Sequence, residues 1–358
     1  MQPRVLFRTH YQVDEPAIIE FLVKLCSSPV QSAYNETVAA KLTKQIKDFN
    51  IAAAGYAVDL AQGLGVVDKN NVWSDKGHLV NLLAQVSGDP IDAQLHLNSY
   101  ERLLHFCLFL EADGAMLLSI AQHIIDHQSI PDHQDDWNSL ATRLFGEIYR
   151  KYLSMAGTTS DRVALRTEAD RIVRKGYAGK SGTHKMFIHL QTLYRLGLLD
   201  RAPSGAARRY IVARGGAAES MQILVKEIAD FYTLERVIRE RKLVEIANRV
   251  LRIGGSIEDS WSTDTVFPKL ITFYRTIMST GLPLCPLSAL GHAVQIRFLV
   301  DDSKLLSYSR LLEVLREAQS ANLGDIRFHV DRAGEPAFLK LSDRIVRSYS
   351  NTDDTDLR

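Results

Sequence analysis

Cysteine is scarce in this chain: three in 358 residues, at Cys26, Cys107 and Cys285, far apart from one another. They make neither a CxxC pair nor an even framework, which excludes a disulfide-stapled fold. Each is expected to be a buried apolar side chain in a reducing compartment. An excess of one charge is lacking too. With 43 Lys and Arg against 42 Asp and Glu, the net charge is +1, so any attraction to a polyanion has to come from a local patch. Long apolar runs are missing as well: MQPRVLFRTH has no signal-peptide core, and the most apolar helical stretch, near Leu103 to Ile125, is interrupted by Glu111 and Asp113. These absences predict a soluble cytoplasmic protein with no membrane partner. Catalytic signatures are also missing: there is no HExxH, no GxSxG and no Walker sequence. The string GKSGT ends at Thr183, but Arg174 stands where the first glycine of a phosphate loop belongs, and no aliphatic strand precedes it. The expectation is a non-enzymatic chain without cofactor or metal.

What the chain does have is helical periodicity broken by small turn signals, over a length that suits two or three domains. Residues 14–26 and 35–46 carry apolar side chains at helical spacing, and a third helix is expected over about 51–62 before Gly63 and Gly65. Val66 and Val67, the turn DKNN, then Val72 and Trp73 read as a short hairpin, followed by a helix opening at Ser74 to Gly77. From 92 to about 156 the pattern is all-helical, with SIPDHQDD as a surface loop. A helix is expected from Thr167 to Arg174 and another from Ser181 to Arg195, stopped by Gly197. The hairpin around RAPSGAA comes next. A long helix from Glu219 to Arg252 follows, with i,i+4 pairs such as Glu235 with Arg239 and Glu245 with Arg249 supporting an exposed face. Its heptad seam fails at Glu235, Lys242 and Glu245, so it reads as a brace rather than a dimer coiled coil. Helices near VFPKLITFYRTIM and SYSRLLEVLREAQ, then strands at Ile326 to Val330 and Ala337 to Leu341, complete the chain before a polar tail.

Around 171–214 lies RIVRKGYAGKSGTHKMFIHLQTLYRLGLLDRAPSGAARRYIVAR: a helix, a Leu-Gly-Leu-Leu exit, a Gly/Pro turn and a basic strand pair. This succession resembles the winged helix-turn-helix superfamily, as does GYAVDLAQGLGVVDKNNVWSDKGHLVNLL earlier, and the pattern recurs near the C-terminus. The fold expected is mainly α with small β-hairpin wings, as tandem winged-helix domains joined by helical segments. The modules fall at 1–88, 157–218 and 257–346, with a helical connector at 89–156, a helical brace at 219–256 and the tail at 347–358. Spacings differ, so these are a repeated shape and not a sequence repeat.

The resemblance implies duplex DNA as partner, with a recognition helix in the major groove and a wing against backbone or minor groove. Charge singles out the middle module. From Asp161 to Arg214 there are 9 Arg and 3 Lys against 3 Asp and 1 Glu, which is +12 − 4 = +8. The first module's helix IAAAGYAVDLAQ has no Lys or Arg, and the last module, over Lys304 to Arg344, counts 7 basic against 6 acidic. The contact residues expected are Arg174, Lys175, Lys180, Ser181, Thr183, His184 and Lys185 at the helix entry, with Arg201, Arg208 and Arg209 on the wing. The competing reading of the same charge is a solvated surface or a protein-interaction scaffold with a protein partner or homo-oligomer.

Two other constellations have plainer readings. His123, Asp126, His127, His133 and Asp135 form the densest His/Asp cluster, and His123 and His127 would share a helix face. No third ligand follows at a characteristic spacing, and a helix end running into a solvated loop accounts for the sequence. Tyr177, Phe187, Tyr194 and Tyr210 could stack on bases. Phe187 and Tyr194 sit beside aliphatic positions and are expected in the core, while Tyr177 and Tyr210 stay open.

Overall fold

The computed structural model describes residues 61–68, 73–86, 98–174, 181–204, 207–228, 231–258, 260–322, 324–332 and 334–349, with the side chains of 84–86, 134, 135, 168, 171–174, 181–185, 203, 204, 207 and 231 outside that description. The expected helices within 14–60, the residues Lys175, Tyr177 and Lys180, and the polar tail after 349 lie outside the described residues. The protein is mainly helical with small antiparallel sheets.

Helix α1 (Asp75–Val86) is followed by α2 (Ser99–His127), and helices from before and after it in the chain pack against α2. Asn98 starts it with a reciprocal cap: its side chain accepts from the Glu101 N–H at 2.9 Å, and the Glu101 carboxylate accepts from the Asn98 N–H at 2.8 Å. Apolar residues occupy all sides, from Leu103, Phe106 and Leu110 to Met116, Ile120 and Ile124, as a helix enclosed by others requires. It is the one described helix long and apolar enough to cross a membrane, and 83% of its most apolar window is buried inside the protein. Asp113 interrupts it, with φ −149° and ψ 42°. The next residue, Gly114, lets Leu234 approach so closely that a Cβ there would stand 2.8 Å from its methyl group.

Strand β1 (Ser129–Pro131) comes next, then α3 (Gln134–Met155), α4 (Thr159–Arg174), α5 (Ser181–Arg195), β2 (Leu199–Ser204) and β3 (Ala207–Val212). The first sheet has the order β1-β3-β2, all antiparallel, with Ile130 opposite Tyr210 and Arg201 opposite Tyr210 on the other side. Finding β1, with Ile130 buried, at the start of SIPDHQDD, read as a surface loop, is a correction: three residues are too few to show a period of two, and the partner strand lies 80 positions on. Pro131 is tolerated because β1 is an edge strand. Helix α5 packs on α3, α2 and β2, and α4 packs on α3.

The segment expected as one long helix is three: α6 (Ala217–Glu227), α7 (Phe231–Arg239) and α8 (Leu243–Leu251). The chain turns back between α7 and α8 through Arg241 at φ 56°. Arg249 pairs with Glu227 at 2.6 Å and Arg252 with Glu219, joining α8 and its end to α6. Each short helix has its own apolar stripe, Leu224, Leu234 and Val250 among them, and all three lie against α2. Burial of separate stripes therefore outweighs the continuous surface pairing that favoured a single helix.

The last third runs α9 (Thr263–Met278), β4 (Cys285–Pro286), α10 (Leu287–Asp302), α11 (Tyr308–Ala321), β5 (Ile326–Val330), β6 (Pro336–Leu341) and α12 (Asp343–Ser348). Its sheet order, β4-β6-β5, repeats that of the first sheet. Tyr274 on α9 pins the sheet, its hydroxyl accepting from the Leu341 N–H at 2.9 Å. Ser307 and Ser342 cap α11 and α12. Helix α1 packs on α9 and α10, and its start is held by Ser74, whose hydroxyl accepts from the Lys76 and Gly77 amides and donates to the Gly65 carbonyl. The backbone bridge between Val67 and Trp73 fits the hairpin expected there, and residues 69–72 lie outside the described residues.

Candidate nucleic-acid interface

The basic hairpin folds as the β2–β3 ribbon, with β2 packed against α5. Along β3 the pleat alternates, so Arg209 faces out while Tyr210 is fully buried. Ser204 pairs with Ala207 across the turn, which places Arg208 and Arg209 next to the tip. Arg208 and Arg209 are exposed and neither has a carboxylate partner among the described residues. Arg209 donates to the Ser129 hydroxyl at 3.4 Å, and the Arg208 carbonyl accepts from the Asp132 N–H at 2.9 Å. The loop after β1 is thereby tied to the ribbon.

Arg201 was expected to face outward with them, and it does not. Its guanidinium donates to the Tyr210 hydroxyl at 2.6 and 3.1 Å, lies 5.2 Å from the Tyr194 ring and 5.1 Å from the Tyr210 ring, and sits 3.9 Å from the Asp132 carboxylate. Gln191 also donates to that hydroxyl, at 2.8 Å. A buried phenol needs partners for its oxygen, and Arg201 is one of them, stacked between two rings. Tyr210, left open by the sequence, is thus a core residue, as are Trp137 at 6.2 Å from it and Phe187 at 5.9 Å from Trp137. Arg201 and Asp132 were beyond sequence reasoning because the inward turn of an arginine depends on a tyrosine across the ribbon.

Helix α5 has a similar restriction. From Met186 to Leu196 no residue is exposed. His189 donates to or accepts from Asp113 on α2 at 3.0 Å, with both side chains buried. The exit is closed by Arg102, which donates to the Leu196 carbonyl at 2.8 Å and whose pKa is lowered by burial. Only the first turns, where Ser181, Thr183, His184 and Lys185 lie, extend beyond this enclosed part; Arg174 ends α4 before the intervening segment. The side chains of these five residues lie outside the described residues, as Lys175 and Lys180 do entirely. The geometry therefore leaves Arg208 and Arg209 exposed near the tip of the ribbon, on its two faces, turns Arg201 toward Tyr210, and leaves only the entry of α5 outside its enclosed part.

The histidine cluster is built differently from a metal site. His123 and His127 have ring centroids 4.1 Å apart, and Arg143 stands 3.1 Å from His123 Nδ1. Burial, then His127 and Arg143, lowers the His123 pKa to about 4. His133 lies 3.9 Å from Asp136 on α3. Among the described residues no group of three or more His, Cys, Asp or Glu is placed to hold a metal. Cys107 and Cys285 are free and buried, with thiol pKa values raised by burial, and Cys26 lies outside the described residues.

Comparison of the chain with protein-family models, with curated proteins and with solved structures gave no match.

Proposed function

We propose that the chain is a non-enzymatic DNA-binding protein that holds duplex DNA against the β2–β3 ribbon and the entry of α5, within a unit of winged-helix form. The observation that carries the reading is the pair Arg208 and Arg209, exposed near the ribbon tip with no carboxylate on either among the described residues. Support for the winged-helix form comes from element order. The run α2, β1, α3, α5, β2, β3 and the run α9, β4, α10, α11, β5, β6 both read helix, strand, helix, helix, strand, strand, α4 being an addition to the first. Both sheets carry the third strand in the middle. Such a unit offers its helix entry and its wing to one duplex. Because α5 is enclosed from Met186 on, phosphate contact outweighs base contact in this reading, and binding depends strongly on salt and weakly on sequence.

The test is a salt titration of duplex binding by the full chain beside Lys185→Ala and Arg208→Ala/Arg209→Ala. Wild type should lose affinity steeply with salt, and the double variant should reduce the slope by roughly 1.8, two phosphates at about 0.9 each. Equal binding by all three proteins, or none by any, overturns the reading.

A second reading, a protein-interaction scaffold, is favoured by α4. Leu165 is its one buried side chain among those described, and Val163 is 60% exposed beside a shallow cleft of about 510 Å³ lined by Leu153, Thr159, Arg162 and Arg166. A partner that co-purifies with the chain and is lost in Val163→Asp would support it.

A further inference from the structure

We infer that the outer face of the β5–β6 ribbon is a second anion-binding surface, built for single-stranded nucleic acid. It rests on observations separate from those behind the duplex reading. In β5 and β6 the pleat sends Ile326, Leu339 and Leu341 inward, where they are 1%, 0% and 6% exposed. The other face receives Arg327, His329, Phe338 and Lys340, all exposed. The register sets them in two cross-strand pairs, Arg327 opposite Lys340 and His329 opposite Phe338.

Two cations directly opposite one another weaken a ribbon unless an anion lies between or over them. Neither Arg327 nor Lys340 has an ion-pair partner among the described residues. The nearby carboxylates have other engagements. Asp325 at the foot of the ribbon takes the Ser342 hydroxyl at 2.6 Å and Arg344, Asp331 at the turn takes the Glu335 N–H at 3.0 Å, and Glu313 and Glu317 on α11 hold Arg310. The near-zero net charge of this part of the chain thus hides a local imbalance, with no acid on the outer sheet face and two cations, Arg327 and Lys340, paired there.

Beside the cation pair stands a ring. Phe338 is 37% exposed, on a strand held firmly by Tyr274 through Leu341. An exposed phenyl beside paired cations matches the two demands of an unpaired strand, a surface for an unstacked base and positive charge for the phosphates either side of it. A duplex keeps its bases stacked on each other and has no use for the ring. An acidic bilayer or protein would use the cations, and these occupants become outcomes of the test.

The experiment is fluorescence anisotropy of the full chain with a labelled 20-residue oligo(dT), at rising salt. Wild type should bind, Arg327→Ala/Lys340→Ala should weaken binding at least tenfold and flatten the salt slope by roughly 1.4, two phosphates at about 0.7 each. Phe338→Thr, which keeps a strand former, should weaken binding about fivefold or more, and Phe338→Tyr should keep it. Arg208→Ala/Arg209→Ala should weaken oligo(dT) binding less than Arg327→Ala/Lys340→Ala does and duplex binding more, so that the two surfaces are read separately. The inference fails if wild type does not bind oligo(dT) in 50 mM salt, if Phe338→Thr binds as wild type does, or if phosphatidylserine vesicles bind the chain and displace the oligonucleotide.

Discussion

Asp113→Ala should be among the most damaging single changes in the described core. Asp113 and His189 are 0% and 1% exposed and meet at 3.0 Å, joining the middle of α2 to the middle of α5 across 76 positions of sequence. Removing the carboxylate leaves the imidazole buried without its partner, a loss of about 3–5 kcal/mol for a buried pair. Asp113 itself is not helical, at φ −149° and ψ 42°, so the better helix propensity of alanine returns little there. The Asp113 Oδ1 and His189 Nδ1 atoms already lack partners, which places the net cost toward the lower end, about 2–3 kcal/mol. Asp113→Asn keeps a hydrogen-bonding side chain of the same shape and should cost about 1–2 kcal/mol. Asp113→Leu/His189→Leu replaces both partners and should cost less than the sum of its single variants. Urea unfolding followed by circular dichroism measures each, and the four proteins complete a double-mutant cycle. An Asp113→Ala cost below about 1 kcal/mol, or strict additivity in the cycle, would refute the claim that this pair ties the two helices together.

Three further outcomes can be checked. Gly77→Ala places a Cβ 2.5 Å from the Val66 carbonyl oxygen, so α1 has to shift, and a thermal melt should show a loss of about 1–3 kcal/mol. Tyr274→Phe strands the buried Leu341 N–H at a cost of about 1–3 kcal/mol, seen as faster amide exchange at Leu341. His105 is 3% exposed, neither ring nitrogen has a partner among the described residues, and burial lowers its pKa to about 4. The unfolded chain therefore binds the proton more readily, and stability present above about pH 6.5 is lost as pH falls toward about 4, by up to about 3 kcal/mol. His105→Leu should flatten urea midpoints across that range, and an unchanged pH profile would count against this origin.

Local patterns were legible wherever the signal was local. Ser181–Arg195 and the strand Ile326–Val330 lie where periodicity and turn residues predicted them, and Gly197, at φ 76°, ends its helix in the left-handed conformation that glycine permits. Non-local pairing was not legible. Strand β1 acquires its identity from β3, and the three helices between 217 and 251 are separated by tertiary burial without a proline or glycine at either break. At the site, Arg208 and Arg209 could be read from a basic hairpin, while Arg201 could not be told from them, because its direction is set by Tyr210 and Tyr194. The β5–β6 face was missed for the opposite reason: a net count over Lys304 to Arg344 averages the two cations of the outer sheet face with acids at the turn, at the foot and on α11.

The position of α2 bears on how such a chain could be inherited or rearranged. Helices on both sides of it, together with β1 and β3, share its surface. A recombination that carried the basic hairpin alone into another gene would leave behind the edge strand and the helix under it. The proposed contact segment is short, but the smallest piece that could be exchanged intact begins upstream of Ser99.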